Sequence, residues 1–173
     1  MASILKVNTI QDATNSTTAM TVDTSGRILT PARPAFRARI AGSSSAHGDT
    51  GVLVFETEDF DIGGNYDTSN GRFTAPVAGI YWLAFNFLTA TNTSGGTPSA
   101  GDSVNVRLEK NGSAIEGTQA YSMINANFQI GLNSINIIQI SASDYIQVNV
   151  TSGFAYSDGN SHTDPTFQGY LLG

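Results

Sequence analysis

The sequence predicts an all-β protein, a sandwich or jelly roll that follows a short N-terminal arm. Short apolar or alternating runs recur along most of the chain, and clusters of Gly, Asn, Ser and Thr separate them, which is typical of strands joined by turns. From residue 36 onward, no run has the apolar spacing of an amphipathic helix over three turns. The chain also shows no internal repeat, which argues against a solenoid or a propeller.

The candidate strands of the sandwich follow from these runs. The sequence Asn111-Gly112 after one of them is a strong signal for a two-residue hairpin turn. The predicted strands are Ala35–Ala41, Val52–Phe55, Ile80–Leu88, Val104–Leu108, Phe128–Leu132, Ile135–Ile140, Tyr145–Val150 and Phe167–Leu172.

The first 35 residues differ from the rest. They contain two β-prone runs, Ile4–Ile10 and Met20–Val22, which polar turn-forming residues separate. Pro31 and Pro34 then prevent both helix and regular strand pairing. We therefore predict two units, an extended anchoring arm at residues 1–35 and a globular head at residues 36–173. The arm has too few apolar residues for a core and is expected to lie on a partner or on copies of itself.

Composition excludes several classes of function. The chain has no cysteine and only two histidines, so disulfides, thiolate nucleophiles and Cys-based zinc sites are ruled out. Charged residues make up 13% of the chain, about half the usual share, which favours a virion or extracellular surface covered by Ser, Thr, Asn and Gly. We expect no membrane span, because no apolar stretch approaches the roughly 18 residues required, and no secretory signal, because the N-terminus turns polar by Asn8.

Charge is unevenly distributed along the sequence. Residues 1–40 carry five basic and two acidic residues, a balance of +3, whereas residues 41–173 carry three basic and twelve acidic residues, a balance of −9. This pattern predicts that the arm docks on an acidic partner, although chance fluctuation of small counts explains it equally well. Nucleic-acid binding is disfavoured, because the aromatic-rich part of the chain is the acidic part.

One strand is apolar on both faces. In the run from Gly79 to Phe87, Ile80, Trp82 and Ala84 alternate with Tyr81, Leu83, Phe85 and Phe87. A strand of a two-sheet sandwich normally buries one face and exposes the other to water. The pattern therefore predicts that one face fills the core and the other meets a second subunit, or else that a loop covers it.

A spaced set of residues resembles a known family. Phe55, Asp61, Tyr66, Phe73, Gly79, Tyr81 and Phe85 follow the pattern F-x5-[ND]-x4-[FYWL]-x6-F-x5-G-x-Y-x-F-x-[FY], with Leu83 at the second-last aromatic position. This is similar to the globular-head signature of complement component 1q, within the tumour necrosis factor-like superfamily. Leu108–Gly112, Asp144–Val148 and Phe167–Leu172 match later strands of that family in order. The resemblance implies a jelly roll of about ten strands and a homotrimer, with Phe55, Tyr66, Phe73, Gly79, Tyr81, Leu83, Phe85 and Phe87 at its core and trimer interface.

The arm resembles a second group of proteins. Ser3–Gln11, Met20–Ile28 and Pro34-Ala35-Phe36 are similar to the N-terminal segments of tail-fibre-like virion proteins of marine phages, especially those that infect cyanobacteria. These motifs are short. The resemblance implies a virion component made in the bacterial cytoplasm and placed on the particle exterior, whose arm binds other virion proteins.

No catalytic constellation is evident, and we expect no enzyme and no cofactor. His47 and His162 lie in Gly/Ser-rich segments without a nucleophile motif. The carboxylates of Glu56, Glu58, Asp59 and Asp61 form a weak candidate calcium site, because Ca²⁺ prefers oxygen ligands. Adjacent acidic residues of this kind are more often solvated.

A long polar segment, Gly153–Pro165, is the candidate receptor loop. Aromatic rings that stack on sugars, together with amides and carboxylates that bind hydroxyls, suit contact with a host-surface glycan or protein. The candidate residues are Phe154, Tyr156, Asp158, Asn160, His162 and Asp164.

These observations favour a phage virion structural protein. The leading hypothesis is a short trimeric fibre whose head contacts the host surface and whose arm docks on the tail or its adaptor. The alternative is a capsid or neck decoration protein without essential receptor binding, and a soluble recognition or signalling module is more remote.

Overall fold

The computed structural model describes residues 4–41, 44–47, 50–90, 103–123, 130–152, 154–158 and 164–173, with backbone alone for 44–47, 87, 90 and 154–158. Within these ranges the regular structure consists of strands, and no helix is long and apolar enough to span a membrane. The all-β fold class is thus confirmed.

Two sheets pack face to face in the head. The strands of the inner sheet are β4 (Ala35–Arg39), β5 (Ser44–His47), β7 (Thr57–Ile62), β10 (Gly79–Ala90), β14 (Gly131–Ile140), β16 (Phe154–Asp158) and β17 (Thr166–Leu171). Their order in the sheet is β7-β4-β17-β10-β14, and the pair β16 and β5 extends it from the end of β10.

The strands of the outer sheet are β6 (Gly51–Val52), β8 (Tyr66–Asp67), β9 (Arg72–Thr74), β11 (Ser103–Lys110), β12 (Ser113–Ala114), β13 (Ala120–Met123) and β15 (Tyr145–Ser152). Their order is β8-β9-β15-β11-β12, with β13 also paired with β11 and β6 with β15. The hairpin predicted at Asn111-Gly112 is confirmed: both residues have positive φ, and Lys110 pairs with Ser113 across the turn.

The core is an aromatic cluster between the sheets. The Phe36 ring stacks on Phe73, with centroids 4.5 Å apart, and on Tyr66 at 5.3 Å. Phe167 meets Phe36 edge-on at 4.9 Å. Such ring pairs add to the free energy gained from burial of their apolar surface, so strands from both sheets are held by one continuous group of rings.

Two glycines, Gly71 and the signature residue Gly79, stand where a side chain cannot fit. Gly71 has φ +73°, and a Cβ there would lie 2.7 Å from the carbonyl oxygen of Leu53. A Cβ at Gly79 would meet the Leu171 side chain at 2.6 Å and the Gly173 oxygen at 3.0 Å. The sequence pattern therefore reflects close backbone approach at the entry of β10.

The strand predictions need three corrections. Of the predicted strand Val52–Phe55, only Val52 lies in a regular strand; the Leu53 amide still donates to the Val148 carbonyl at 2.9 Å, and Leu53 and Phe55 are buried in the core. Phe128–Leu132 and Ile135–Ile140 were predicted as separate strands, but residues 131–140 form one continuous strand, Gly131–Ile140, and residues 128 and 129 lie outside the described residues. The acidic segment Thr57–Ile62, which was not predicted as a strand, forms β7 at the border of the inner sheet.

The arm is also not simply extended. It forms a three-stranded antiparallel sheet of β1 (Thr9–Gln11), β2 (Thr18–Val22) and β3 (Ile28–Leu29). Asp23 closes the β2–β3 turn by accepting hydrogen bonds from the Arg27 backbone amide, the Arg27 side chain and the Ser25 amide, and these donors lower the pKa of its carboxyl group. Each arm strand has exposed residues, and no arm residue belongs to the core cluster of the head.

Candidate interaction surfaces

The inner sheet packs one face against the core. Its other face, which points away from the outer sheet, carries an apolar row that crosses five strands. Strand register places five side chains next to one another, because each is the direct cross-strand partner of the next. We call this set the apolar row: Ile62, Ala35, Tyr170, Trp82 and Ile137. Its centre is fixed by contact of the Trp82 and Tyr170 rings, whose centroids are 5.5 Å apart.

The apolar row is accessible in the single chain. Ile137 is 68% exposed and its neighbour Ile135 is 65% exposed, whereas an ordinary sandwich shows a polar outer face. Two rows further along the same face, the cross-strand neighbours are polar: Arg39, Thr166, Asn86 and Asn133. The face therefore changes from apolar near the arm to polar toward the opposite end of the head.

Strand β10, which was predicted to be apolar on both faces, has one face in the core and the other on the surface of the sheet. Tyr81, Leu83 and Phe85 point into the core and are fully buried, while Ile80 is exposed on the other side. Burial of Tyr81 raises the pKa of its hydroxyl, which donates a 2.8 Å hydrogen bond to the Val77 carbonyl.

The other signature residues also serve the core. Phe55, Tyr66 and Phe73 are buried between the sheets, so they hold the monomer together and do not lie on an outer surface. Gly79 stands at the start of β10. The side chain of Phe87 lies outside the described part of the structure.

The candidate receptor loop contains a strand. Phe154, Tyr156 and Asp158 belong to β16, which pairs with β5 and with Thr89 and Ala90 at the end of β10. The first residues of β10 lie instead beside the C-terminal residues, where Pro34 of the arm accepts the Leu171 amide. The segment and the arm therefore stand at opposite ends of the twelve-residue strand β10, roughly 40 Å apart along it.

Asp164 does not belong to an exposed ligand surface. It is only 5% exposed, and its carboxylate accepts a hydrogen bond of 3.1 Å from Arg39 Nη1. The expectation that Asp164 accepts hydrogen bonds from a receptor is therefore not supported by its position. Asn160 and His162 lie outside the described residues, as do the side chains of Phe154, Tyr156, Asp158 and His47.

The four acids considered for calcium do not converge. Asp59 accepts hydrogen bonds from Arg37 and Arg39, and Asp61 Oδ2 accepts the Tyr66 amide at 2.8 Å. Among the residues that the structure describes, no group of three or more His, Asp or Glu side chains is arranged to hold a metal. Asp61 thus fixes the turn before β8, a role that sequence reasoning missed.

The outer sheet carries a polar network centred on Glu109. Its Oε1 accepts 3.2 and 2.8 Å bonds from Arg107, and its Oε2 accepts bonds from Gln147 and Asn149 at 3.0 and 2.9 Å. Arg72 donates to Gln147 and stacks 4.2 Å above the Tyr145 ring. Burial alone would raise the pKa of Glu109, but these donors outweigh burial and lower it.

A cavity of about 470 Å³ separates the arm from the head. Ala19, Thr30 and Arg33 line its arm side, and Ile62 and Val77 line its head side.

The basic residues of the N-terminal region do not cluster at this cavity. Of its cations, Arg37 and Arg39 belong to β4 and are paired with acids of the head.

The charge argument for the arm therefore needs correction. Residues 1–35 alone carry three basic and two acidic residues, 3 − 2 = +1, and Arg27 is paired with Asp23. The arm is nearly neutral, so its charge gives little reason to expect an acidic partner.

Sequence reasoning found one strand of the exposed face but missed the others. Tyr170, Ile62, Ile135 and Ile137 were not predicted as surface residues. The alternation Ile135-Asn136-Ile137 was a usable signal, because it places two isoleucines on one face of a strand whose other face also carries apolar residues.

Comparisons with known proteins agree with this architecture. A model of the C1q domain matches residues 35–172, which is most of the chain. The globular domain of zebrafish complement 1qA is similar in structure, with a TM-score of 0.60 at 16% identity, covering 82% of this chain and 98% of that one. Murine APRIL at pH 5.0 gives a TM-score of 0.60 at 10% identity, over 81% and 99% of the two chains.

Curated relatives match over the head. Complement C1q tumor necrosis factor-related protein 3 of Homo sapiens is 25% identical over 120 residues, which are 69% of this chain and 44% of that protein. The Mus musculus protein of the same name is 24% identical over the same shares. The chain thus spans less than half the length of these relatives. The signature, the two-sheet fold and the match over residues 35–172 together place the chain in the C1q domain family.

Proposed function

We propose that the protein is a homotrimeric, non-enzymatic attachment module, a short phage fibre whose head meets the host surface and whose arm anchors it to the particle. Domains of the C1q and TNF families form trimers. The observation that carries the trimer is the apolar row, an exposed apolar band across five strands of one sheet. Association would remove this band from water, at roughly 25 cal/mol per Å² buried.

Matched variants on one strand test the trimer. Ile137→Asp places a charge in the apolar row, while Asn133→Asp places the same charge on the same face of β14 in the polar row. Light scattering at micromolar concentration should give a trimer for the wild type and for Asn133→Asp, and a smaller species for Ile137→Asp. Circular dichroism should show that both variants remain folded. A wild-type monomer would contradict the trimer.

The receptor role is supported by the position of β16. This strand lies at the end of β10 remote from the arm, so three copies would present three such segments together at one end of a trimer. Weak contacts by each segment can gain on the order of a hundredfold or more through effective concentration. Tyr156 would stack on a sugar ring, and Asp158 would accept hydrogen bonds from its hydroxyl groups.

Adsorption of particles to host cells tests this role. The double variant Tyr156→Ala and Asp158→Ala should assemble into particles normally and should lower adsorption. Unchanged adsorption, with the variant protein verified in the particle by mass spectrometry, would favour a capsid or neck decoration protein.

The anchoring role of the arm is tested separately. Deletion of residues 1–33, which keeps β4 from Ala35 onward and the Pro34 carbonyl that accepts the Leu171 amide, should leave the head folded but prevent its incorporation into particles. Normal copy number of the truncated protein in purified particles would refute the anchor.

A second candidate function follows from the curated relatives. Their names place them among complement C1q and tumor necrosis factor-related proteins, which favours a recognition module that is not part of a virion. Absence of the protein from purified particles, combined with a stable trimer in solution, would select this candidate.

A further inference from the structure

The small sheet of the arm has one apolar face. Register places Ile10 opposite Met20 and Val22 opposite Ile28, so these four side chains share one side, here named the arm face. Thr9, Thr21 and Leu29 occupy the other side. Ile28 is 64% exposed in the single chain. A three-stranded sheet of ten strand residues needs a cover over its apolar face to be stable.

The arm leaves the head next to the apolar row. Ala35, the first residue of β4, is itself a member of that row, and the preceding Pro34 accepts the Leu171 amide at 3.0 Å. In a trimer built on the apolar row, the three arms therefore begin beside the interfaces between subunits. Tethering at such short range raises the effective concentration of the arms to about the millimolar level.

Charge does not oppose contact between the arms. Each carries a balance of +1, and Arg27 is neutralised by Asp23 at 2.6 Å. The cavity between arm and head is lined by Ala19, which alternates with Met20 along β2 and so lies on the side away from the arm face. The arm face is thus directed away from its own head.

We propose that three copies pack their arm faces against one another, which forms a second apolar core below the heads. The partner of the arm face is the same surface of a second copy of this chain. This inference rests on the proposed trimer, but it adds a separate interface. The arm then contributes to the assembly and is not solely a tether.

Two adjacent residues provide a matched test. Ile28 lies on the arm face and Leu29 on the opposite face, and both are exposed, at 64% and 49%. The chain contains no cysteine, so Ile28→Cys and Leu29→Cys each introduce a single thiol. A short bis-maleimide reagent should produce covalent dimers from Ile28→Cys in the full-length protein, and several-fold fewer from Leu29→Cys.

A second pair of variants measures the interface. Ile28→Asp should raise the concentration at which the trimer dissociates by about tenfold or more, because burial of an isoleucine side chain contributes roughly 1.5–3 kcal/mol. Leu29→Asp should change it little. Analytical ultracentrifugation over a dilution series gives both values.

The outcomes separate the two proposals. Crosslinking of Ile28→Cys above Leu29→Cys, with the stronger effect of Ile28→Asp, supports the arm core. Equal crosslinking, or preferential crosslinking of Leu29→Cys, in a protein that remains trimeric overturns the arm core and leaves the trimer intact. A monomeric wild-type protein overturns the trimer and the arm core together.

Discussion

The head and the arm are both antiparallel β-structure, yet they differ in what covers their apolar faces. In the head, two sheets face each other and bury Phe36, Phe73 and Phe167 between them. The arm has one sheet, and its apolar face is open. We therefore expect the head to be much more stable than the arm, because the free energy of folding comes mainly from covering apolar faces and less from strand pairing.

The largest expected effect is loss of a core ring. Phe85→Ala should lower the free energy of unfolding by roughly 3–5 kcal/mol, because Phe85 is fully buried and its removal leaves a cavity. Thr9→Ala, an exposed change in the arm, should stay within about 0.5 kcal/mol. Urea denaturation at one protein concentration compares them. Similar losses in the two variants would contradict the difference between head and arm.

The next largest difference in stability is expected between alanine substitutions at two glycines that share one backbone conformation. Gly71 in the head and Gly26 in the arm have φ of +73° and +77°, but of the two only Gly71 has other atoms within 4 Å of where a Cβ would lie. Gly71→Ala should cost roughly 2–4 kcal/mol from left-handed strain plus the clash with Leu53. Gly26→Ala should leave the main thermal transition nearly unchanged. Equal shifts in Tm would show that the clash is relieved by movement.

Loss of an ion pair should also lower the stability of the protein more in the head than in the arm. Arg39→Ala removes a donor from Asp164, whose side chain is 2% exposed, and should cost roughly 1–3 kcal/mol. Arg27→Ala breaks an exposed pair with Asp23 and should cost much less, because solvent and salt screen exposed ion pairs. Denaturation in low and high salt checks the pair, since only the exposed interaction should be screened strongly. A larger loss for Arg27→Ala would refute this ranking.

The smallest expected effect is on the stability of the folded protein at acidic pH, and it comes from Glu109. The folded-state pKa of Glu109 is below its usual 4.5, so the unfolded chain binds the proton more readily. The stabilising contribution is present above about pH 4.5 and is lost as the pH falls through the folded-state pKa. The stability of Glu109→Gln should fall less steeply below pH 4.5. Parallel slopes for wild type and variant would exclude this role for Glu109.

The sequence was informative where side-chain size and backbone conformation leave few alternatives. The aromatic spacing from Phe55 to Phe85 identified the fold, since buried rings must recur at fixed strand positions. Asn111-Gly112 identified its hairpin because two consecutive positive φ angles strongly favour those residues.

Other features depended on distant partners and were not predictable in the same way. The segment Thr57–Ile62 is acidic, and its pairing with β4 depends on Arg37 and Arg39, about twenty residues away. The apolar row draws residues from five strands, so no local pattern shows it. Asp164 was expected at a ligand surface because its neighbours are polar, although its actual partner is Arg39 of β4.

The acidic strand β7 has a further consequence for how the protein behaves at high concentration. In the described sheet β7 is the last strand, so its outer backbone groups face solvent beside exposed Phe60 and Ile62. An open strand of this kind can recruit strands from other molecules and start aggregation. The exposed charges of Glu56 and Glu58 make such recruitment unfavourable through repulsion between like edges. Two of the four acids first considered as calcium ligands, Glu56 and Glu58, are thus expected to disfavour edge-to-edge polymerisation.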